Sequence, residues 1–331
     1  MESMARIGFR LRAWGALTRR QASVARLTDA QVMVLQAREV PDNVVTGWLF
    51  GAVVPGTAVR DRVVPGPDGN DIPVRVYRPA AAAPGSRGAS AARPLVLYLH
   101  GGGFVFGGLR MGDWLCSSVS AGVGAVVVSA DYRLAPAHKF PAAVEDSYAA
   151  LTWAAAHAGE LGATGPIGMM GESAGCNLAA VISLLGRDRG GPAITHQALM
   201  YPVTDMTDAG TRTPSAPANP DAPFLSAGEI TAYRRLYLRA DGDTSDPRAS
   251  PLLAASLAGL PPALIQVGEH DPLRDDGTRY AAALRAAGVP VRLTEYVGVP
   301  HGFMNFPGLC RIAAQAMSEI CAEQRTALAV E

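Results

Sequence analysis

Residues 169–177 read Met169-Met170-Gly171-Glu172-Ser173-Ala174-Gly175-Cys176-Asn177. A short apolar run leads into this stretch and a helix-like segment leads out of it. The G-x-S-x-G pattern places small residues on both sides of a serine, as a strand turning sharply into a helix requires. Glycine relieves crowding at such a turn because it has no Cβ. The turn strains the serine backbone, exposes its hydroxyl, and sets the positive end of the following helix beside any negative charge formed there. A five-residue pattern alone also fits a chance loop in a chain with 36 glycines, so the surroundings decide its meaning.

Upstream, residues 95–99 are wholly apolar and run into His100-Gly101-Gly102-Gly103-Phe104. A second apolar run at 125–129 ends at Asp131-Tyr132-Arg133-Leu134-Ala135-Pro136, and 141–157 has helical spacing with Val144, Tyr148 and Leu151 on one face. Downstream, Leu178, Val181, Ile182 and Leu185 share a helical face that ends at Gly190-Gly191-Pro192, and Leu199-Met200-Tyr201 closes another strand. Strands at 263–267 and 291–296, a helix from about 276 to 287 and a last helix from about 309 complete the alternation. That rhythm predicts an α/β fold with a mostly parallel sheet covered on both faces. Residues 205–221 break it and read as an insertion over the site, after which 225–238 resumes as a helix.

Nearer the start, Ile72, Val74 and Val76 alternate with polar positions after the turn Pro67-Asp68-Gly69-Asn70, a hairpin signal. Residues 80–92 have no apolar period and read as a surface loop. Residues 1–45 predict two helices, with Thr28-Asp29 capping the second. Their arginines lack the continuous apolar core of a secretory signal, so a cytoplasmic location is expected.

With 331 residues, 49% of them hydrophobic, the chain can bury one large core. Its 29 basic and 29 acidic residues balance, which gives no electrostatic reason to invoke nucleic acid or an anionic membrane. The longest apolar run, near 121–130, is too short to span a bilayer. Cys116, Cys176, Cys310 and Cys321 show no C-x-x-C spacing and read as free, packed thiols. Cys176 stands apart, because a thiol at a helix N-terminus can have a lowered pKa. Homodimerisation through a sheet edge or the last helix is compatible with the sequence, which does not decide it.

A serine hydroxyl needs a neighbouring base, and imidazole suits that task near neutral pH. His301, in Val299-Pro300-His301-Gly302-Phe303, follows a predicted strand; His270 and His100 also follow strands, while His138, His157 and His196 read as structural. The base needs an acid to fix its tautomer. Asp271 sits where Pro272 ends a strand, at the carboxyl end where such sheets gather their ligands, with Glu269 and Asp275 as rivals. Developing negative charge needs backbone N–H donors, and the glycines after His100 let backbone approach a substrate unobstructed. A Walker-type phosphate loop would need Gly-Lys-Ser/Thr, which is absent there. The order Ser173, Asp271, His301 is that of the α/β-hydrolase arrangement.

Taken together, His100–Phe104, Asp131–Pro136 with Phe140-Pro141-Ala142-Ala143, Gly171–Gly175, Tyr201-Pro202, Asp271–Asp275 and His301-Gly302-Phe303 resemble the hormone-sensitive-lipase-like α/β-hydrolase esterases from about residue 60 onward. The resemblance implies Ser173 as nucleophile, Asp271 as orienting acid and His301 as base, with N–H donors from Gly102, Gly103 and Ala174. It also implies a catalytic unit at 46–205 and 239–331 under a helical cap made of 1–45 and 206–238. Glu172 stands where many members have Asp or Thr, and Cys176 where a third glycine is common.

The expected activity is hydrolysis of short- to medium-chain acyl esters, a small-molecule substrate, with no metal or organic cofactor required. Phe104, Phe224, Tyr233 and Tyr237 are the expected pocket lining. The alternatives are an amide, lactone or carbamate hydrolase using the same residues, or a small-molecule receptor on the same scaffold, since fold does not fix function.

Overall fold

Nine-residue strands β1 (Thr57–Pro65) and β2 (Asp71–Pro79) form the expected hairpin, paired antiparallel from Thr57 opposite Pro79 to Pro65 opposite Asp71. The computed structural model describes residues 7–18, 23–38, 41, 43–79 and 92–329. Most of the surface loop expected at 80–92 therefore lies outside the described residues.

The apolar runs become β3 (Leu95–Leu99) and β4 (Val126–Ala130), in which every residue is buried. Because alternate side chains of a strand point to opposite faces, this burial requires cover on both sides of the sheet. The remaining strands are β5 (Ile167–Glu172), β6 (Ile194–Met200), β7 (Ala263–His270) and β8 (Val291–Pro300). The eight strands form one sheet in the order β1-β2-β4-β3-β5-β6-β7-β8. The first two strands join antiparallel and the rest run parallel.

Three helices precede the sheet: α1 (Phe9–Thr18), α2 (Asp29–Gln36) and α3 (Val44–Phe50). Thr28 caps α2 in a capping box with Gln31, as its sequence predicts. The third helix was not expected and straddles residue 45. Val44, Val45, Thr46 and Gly47 are weak helix formers, but Asn43 caps the amides of Val45 and Thr46 and so starts the turn.

Between strands run α4 (Asp113–Val123), α5 (Ala142–Ala156), the short α6 (Ala158–Leu161) and α7 (Ala174–Asp188). The insertion holds two single turns, α8 (Asp208–Thr211) and α9 (Ser215–Ala218), and then α10 (Ala227–Tyr237). The last helices are α11 (Arg274–Ala286) and α12 (Arg311–Ala327). Helix α12 packs on α4, α5 packs on α7, and α11 packs on β7 and β8.

The insertion and the N-terminal helices touch each other. Asp29 pairs with Arg235 at 3.2 Å, and Ser23 donates to Glu229 at 3.3 Å. Gln36 Nε2 donates to the carbonyls of Val105 and Ala135, both at 2.6 Å, tying α2 to the segment that follows the glycine loop. Among the described residues, no helix is long and apolar enough to cross a membrane.

Candidate active site

Strand β5 delivers Ser173 into the first turn of α7 with φ 49° and ψ −117°, a left-handed conformation that a residue bearing a Cβ enters only under strain. The neighbouring glycines are required by space. A Cβ at Gly171 would collide with the Gly175 carbonyl, and one at Gly175 with the Leu99 carbonyl. The loop after β8 carries His301, and the turn after β7 carries Asp271.

These three side chains, far apart in sequence, form a continuous hydrogen-bonded line. His301 Nδ1 lies 2.7 Å from Asp271 Oδ2, and His301 Nε2 lies 2.8 Å from Ser173 Oγ. With the ring proton on Nδ1, that N–H donates to the carboxylate and the serine hydroxyl donates to Nε2. Asp271 is fully buried, and its other oxygen accepts the Leu273 amide at 2.7 Å. The rivals are engaged elsewhere: Glu269 accepts from the Gly298 amide at 2.8 Å, and Asp275 from the Ser215 amide at 2.7 Å. His100 points its Nδ1 at the Gly101 carbonyl and stacks on Tyr132, away from the serine.

Gly102, Gly103 and Ala174 border the same cavity as Ser173 and His301. The amides of these three residues make no hydrogen bond to any described residue, so they remain available to an oxyanion. Gly102 (φ 104°) and Gly103 (φ 65°) both hold left-handed backbone that favours glycine.

The cavity encloses about 850 Å³, its open mouth included, and its walls are mostly apolar. Phe104, Phe224 and Tyr233 border it. Tyr237 does not. Its ring stacks flat on Phe104 at 3.8 Å and edge-on to Phe140, so it packs behind the wall as fully buried core. Helical spacing put Tyr233 and Tyr237 on one face but could not say which of them has another ring in front of it.

Several lining residues escaped the sequence reading, among them Met206, Leu225, Ile230, Leu273, Asn305 and Phe306. One backbone signal would have found part of the wall. Four described residues other than glycine have positive φ, namely Phe104, Ser173, Tyr201 and Phe224, and all four border this cavity. Strain of this kind concentrates at functional sites.

Glu172 and Cys176 have defined roles beneath the elbow. Glu172 is fully buried and accepts from Tyr98 (3.0 Å), Tyr201 (2.9 Å) and the Gly101 amide (3.2 Å). Cys176 does not have the lowered pKa that a position at a helix N-terminus can give. Burial, with the Glu172 charge nearby, pushes its thiol well above the ordinary range. Its Sγ turns back to the carbonyls of Gly171 and Met200, at 2.9 and 3.0 Å. All four cysteines are free and buried. Among the described residues, no group of three or more His, Cys, Asp or Glu is placed to hold a metal ion.

An open α/β sheet with a strained serine at the carboxyl end of a central strand, backed by imidazole and carboxylate, defines a protein of the hydrolase class. A family model described as alpha/beta hydrolase fold matches residues 96–305. The chain belongs to the hormone-sensitive-lipase-like α/β-hydrolase family. It is 43% identical over 267 residues to Esterase LipI of Mycobacterium tuberculosis, covering 80% of each chain. It is also 45% identical over 277 residues to Carboxylic ester hydrolase LipN of the same organism, covering 82% of this chain and 70% of that one. Among solved structures, a Pyrobaculum calidifontis esterase superposes with a TM-score of 0.82 at 36% identity, covering 98% of this chain and 100% of the other.

Proposed function

We propose that this protein is a carboxylic ester hydrolase working through an acyl-enzyme on Ser173. The observation that carries the reading is the line Ser173–His301–Asp271, with links of 2.8 and 2.7 Å, opening into a cavity bordered by three unengaged amides. The relatives named as esterases support the same activity.

In this mechanism Ser173 Oγ attacks the ester carbonyl carbon as its proton passes to His301 Nε2, and the oxyanion that forms rests on the Gly102, Gly103 and Ala174 amides. Asp271 holds the ring tautomer and stabilises the imidazolium. Collapse of the intermediate breaks the bond to the alkoxide, which leaves with the proton from His301. A water then gives a proton to Nε2 and attacks the acyl carbon. The second collapse releases the carboxylic acid and returns the proton to Ser173.

Residues 46–205 and 239–331 make the catalytic unit in this reading, with 1–45 and 206–238 as its cap. The apolar walls and the enclosed volume suit acyl chains of short to medium length. The test is a panel of chromogenic esters from acetyl to palmitoyl, run beside covalent labelling by an alkyl phosphonate. We expect an optimum at short to medium chains and a label on Ser173. A palmitoyl optimum would overturn the chain-length assignment. Folded protein that neither takes the label nor cleaves any ester would overturn the mechanism. Faster cleavage of an anilide than of the ester of the same acid would move the activity to amides.

A further inference from the structure

The insertion reaches the catalytic line at a point outside the cavity. Ser215, the first residue of α9, is fully buried and does not border the cavity. Its Oγ lies 2.8 Å from the Pro272 carbonyl oxygen, and the Asp275 amide donates to the same Oγ at 3.2 Å. A carbonyl can only accept, so the Ser215 hydroxyl proton points at Pro272. The Ser215 amide donates to Asp275 Oδ2 at 2.7 Å and holds the serine against this turn.

One peptide plane joins that carbonyl to Asp271. The Pro272 C=O and the Leu273 N–H belong to the same rigid trans unit and point in opposite directions. The Leu273 N–H donates to Asp271 Oδ1 at 2.7 Å, and the other oxygen of that carboxylate meets His301 Nδ1 at 2.7 Å. A line of hydrogen bonds therefore runs from the Ser215 hydroxyl through this peptide, Asp271 and His301 to Ser173 Oγ, with links of 2.8, 2.7, 2.7 and 2.8 Å. Hydrogen bonds in such chains polarise one another, so a donor on the carbonyl strengthens the N–H at the far end of the plane. Holding the carbonyl also stops the peptide from turning, which keeps the buried carboxylate aimed at the ring.

Resting on the ester-hydrolase reading above, we propose that Ser215 is a positioning residue for Asp271, acting through the Pro272–Leu273 peptide. The insertion then supplies a fourth member of the catalytic line as well as a cover for the cavity.

The test is a double-mutant cycle. Ser215→Ala and Asp271→Ala are made singly and together, and kcat and KM are measured on one chromogenic butyrate ester, well below the thermal midpoint of each variant. Ser120→Ala on α4 is the control, since Ser120 is another fully buried serine and donates to the Ala125 carbonyl at 3.0 Å, away from the site. Ser215→Ala should lower kcat by about five- to tenfold and leave KM within about twofold, because the lost bond acts through Asp271 and not on the cavity wall. Ser120→Ala should keep the native kcat. In the chain that already lacks the Asp271 carboxylate, Ser215→Ala should lower kcat by no more than about twofold. An equal fall in both backgrounds, a comparable fall in Ser120→Ala, or native kcat in Ser215→Ala overturns the role of Ser215. Ser215→Cys keeps the volume and donates only weakly; it is read by the same criteria if the alanine variant does not fold. Native turnover in Asp271→Ala alone, or a native chain that cleaves no ester, would instead remove the hydrolase reading itself, and the role of Ser215 with it.

Discussion

Tyr201 donates its phenol to Glu172 Oε2 over 2.9 Å and packs its ring in a T-shaped contact with that of His301, centroid to centroid 4.9 Å. The same carboxylate takes the Tyr98 phenol and the Gly101 amide on its other oxygen. One buried group thus links the elbow strand, the glycine loop and a ring packed against the proposed base.

Removing that link should damage both stability and turnover. Glu172→Ala leaves two buried phenols and an amide unpaired, at about 1–3 kcal/mol for each group that cannot repair itself. We expect thermal unfolding several degrees lower and kcat reduced at least about tenfold, with KM changed far less. Glu172→Gln keeps the shape and one carbonyl acceptor, and should fall between the native chain and Glu172→Ala in both measurements.

Asp271→Asn should lower turnover by about 10⁴ without loss of fold, because the amide favours the wrong tautomer of the ring. Glu269→Gln and Asp275→Asn test the alternatives from the same segment. Each has its own amide partner away from the ring, so each should keep kcat within a small factor. Steady-state kinetics on one chromogenic ester rank the three.

The two loop glycines should differ in how they tolerate a methyl group. At Gly102 the new Cβ meets the backbone carbonyl of Phe106, which cannot step aside; at Gly103 it meets the ring of Tyr233 on α10. Gly102→Ala should therefore lose the larger part of the roughly 10²–10³-fold worth of an oxyanion donor. Gly103→Ala should recover part of its loss when combined with Tyr233→Ala, a non-additivity that a double-mutant cycle measures.

His196 on β6 predicts an acid-side loss of stability. Burial depresses the pKa of its ring from 6.5 to about 4. Between those values the unfolded chain binds the proton and the folded chain does not. This contribution is therefore full above pH 6.5 and lost as pH falls toward 4, and is worth on the order of 3 kcal/mol. Urea unfolding at about pH 7 and about pH 4.5 should show a smaller drop for His196→Leu than for the native chain.

What the sequence revealed of this site, and what it hid, follows from the range of the forces involved. The elbow, the strand ends and the chain order of Ser173, Asp271 and His301 are written in local residue types, because a sharp turn demands glycine and a buried strand demands an apolar run. On residue type alone Asp271 could not be chosen over Glu269 and Asp275, whose distant partners, Gly298 and Ser215, only the fold brings in. Tyr237 was misread for a similar reason, since only the fold puts Phe104 in front of it. The state of Cys176 was hidden because position at a helix start says nothing about whether the thiol meets water.

The four concealed thiols leave the chemistry of the surface open to design. Burial raises the pKa of each, to about 11 at Cys321 and well above the usual range at Cys116 and Cys176, and Cys310 also moves upward. A maleimide dye should pass over the native chain while it stays folded. A single cysteine placed at Val45, which is 69% exposed on α3, would then carry the only fluorophore, giving a clean optical reporter of whether that helix moves when an ester enters.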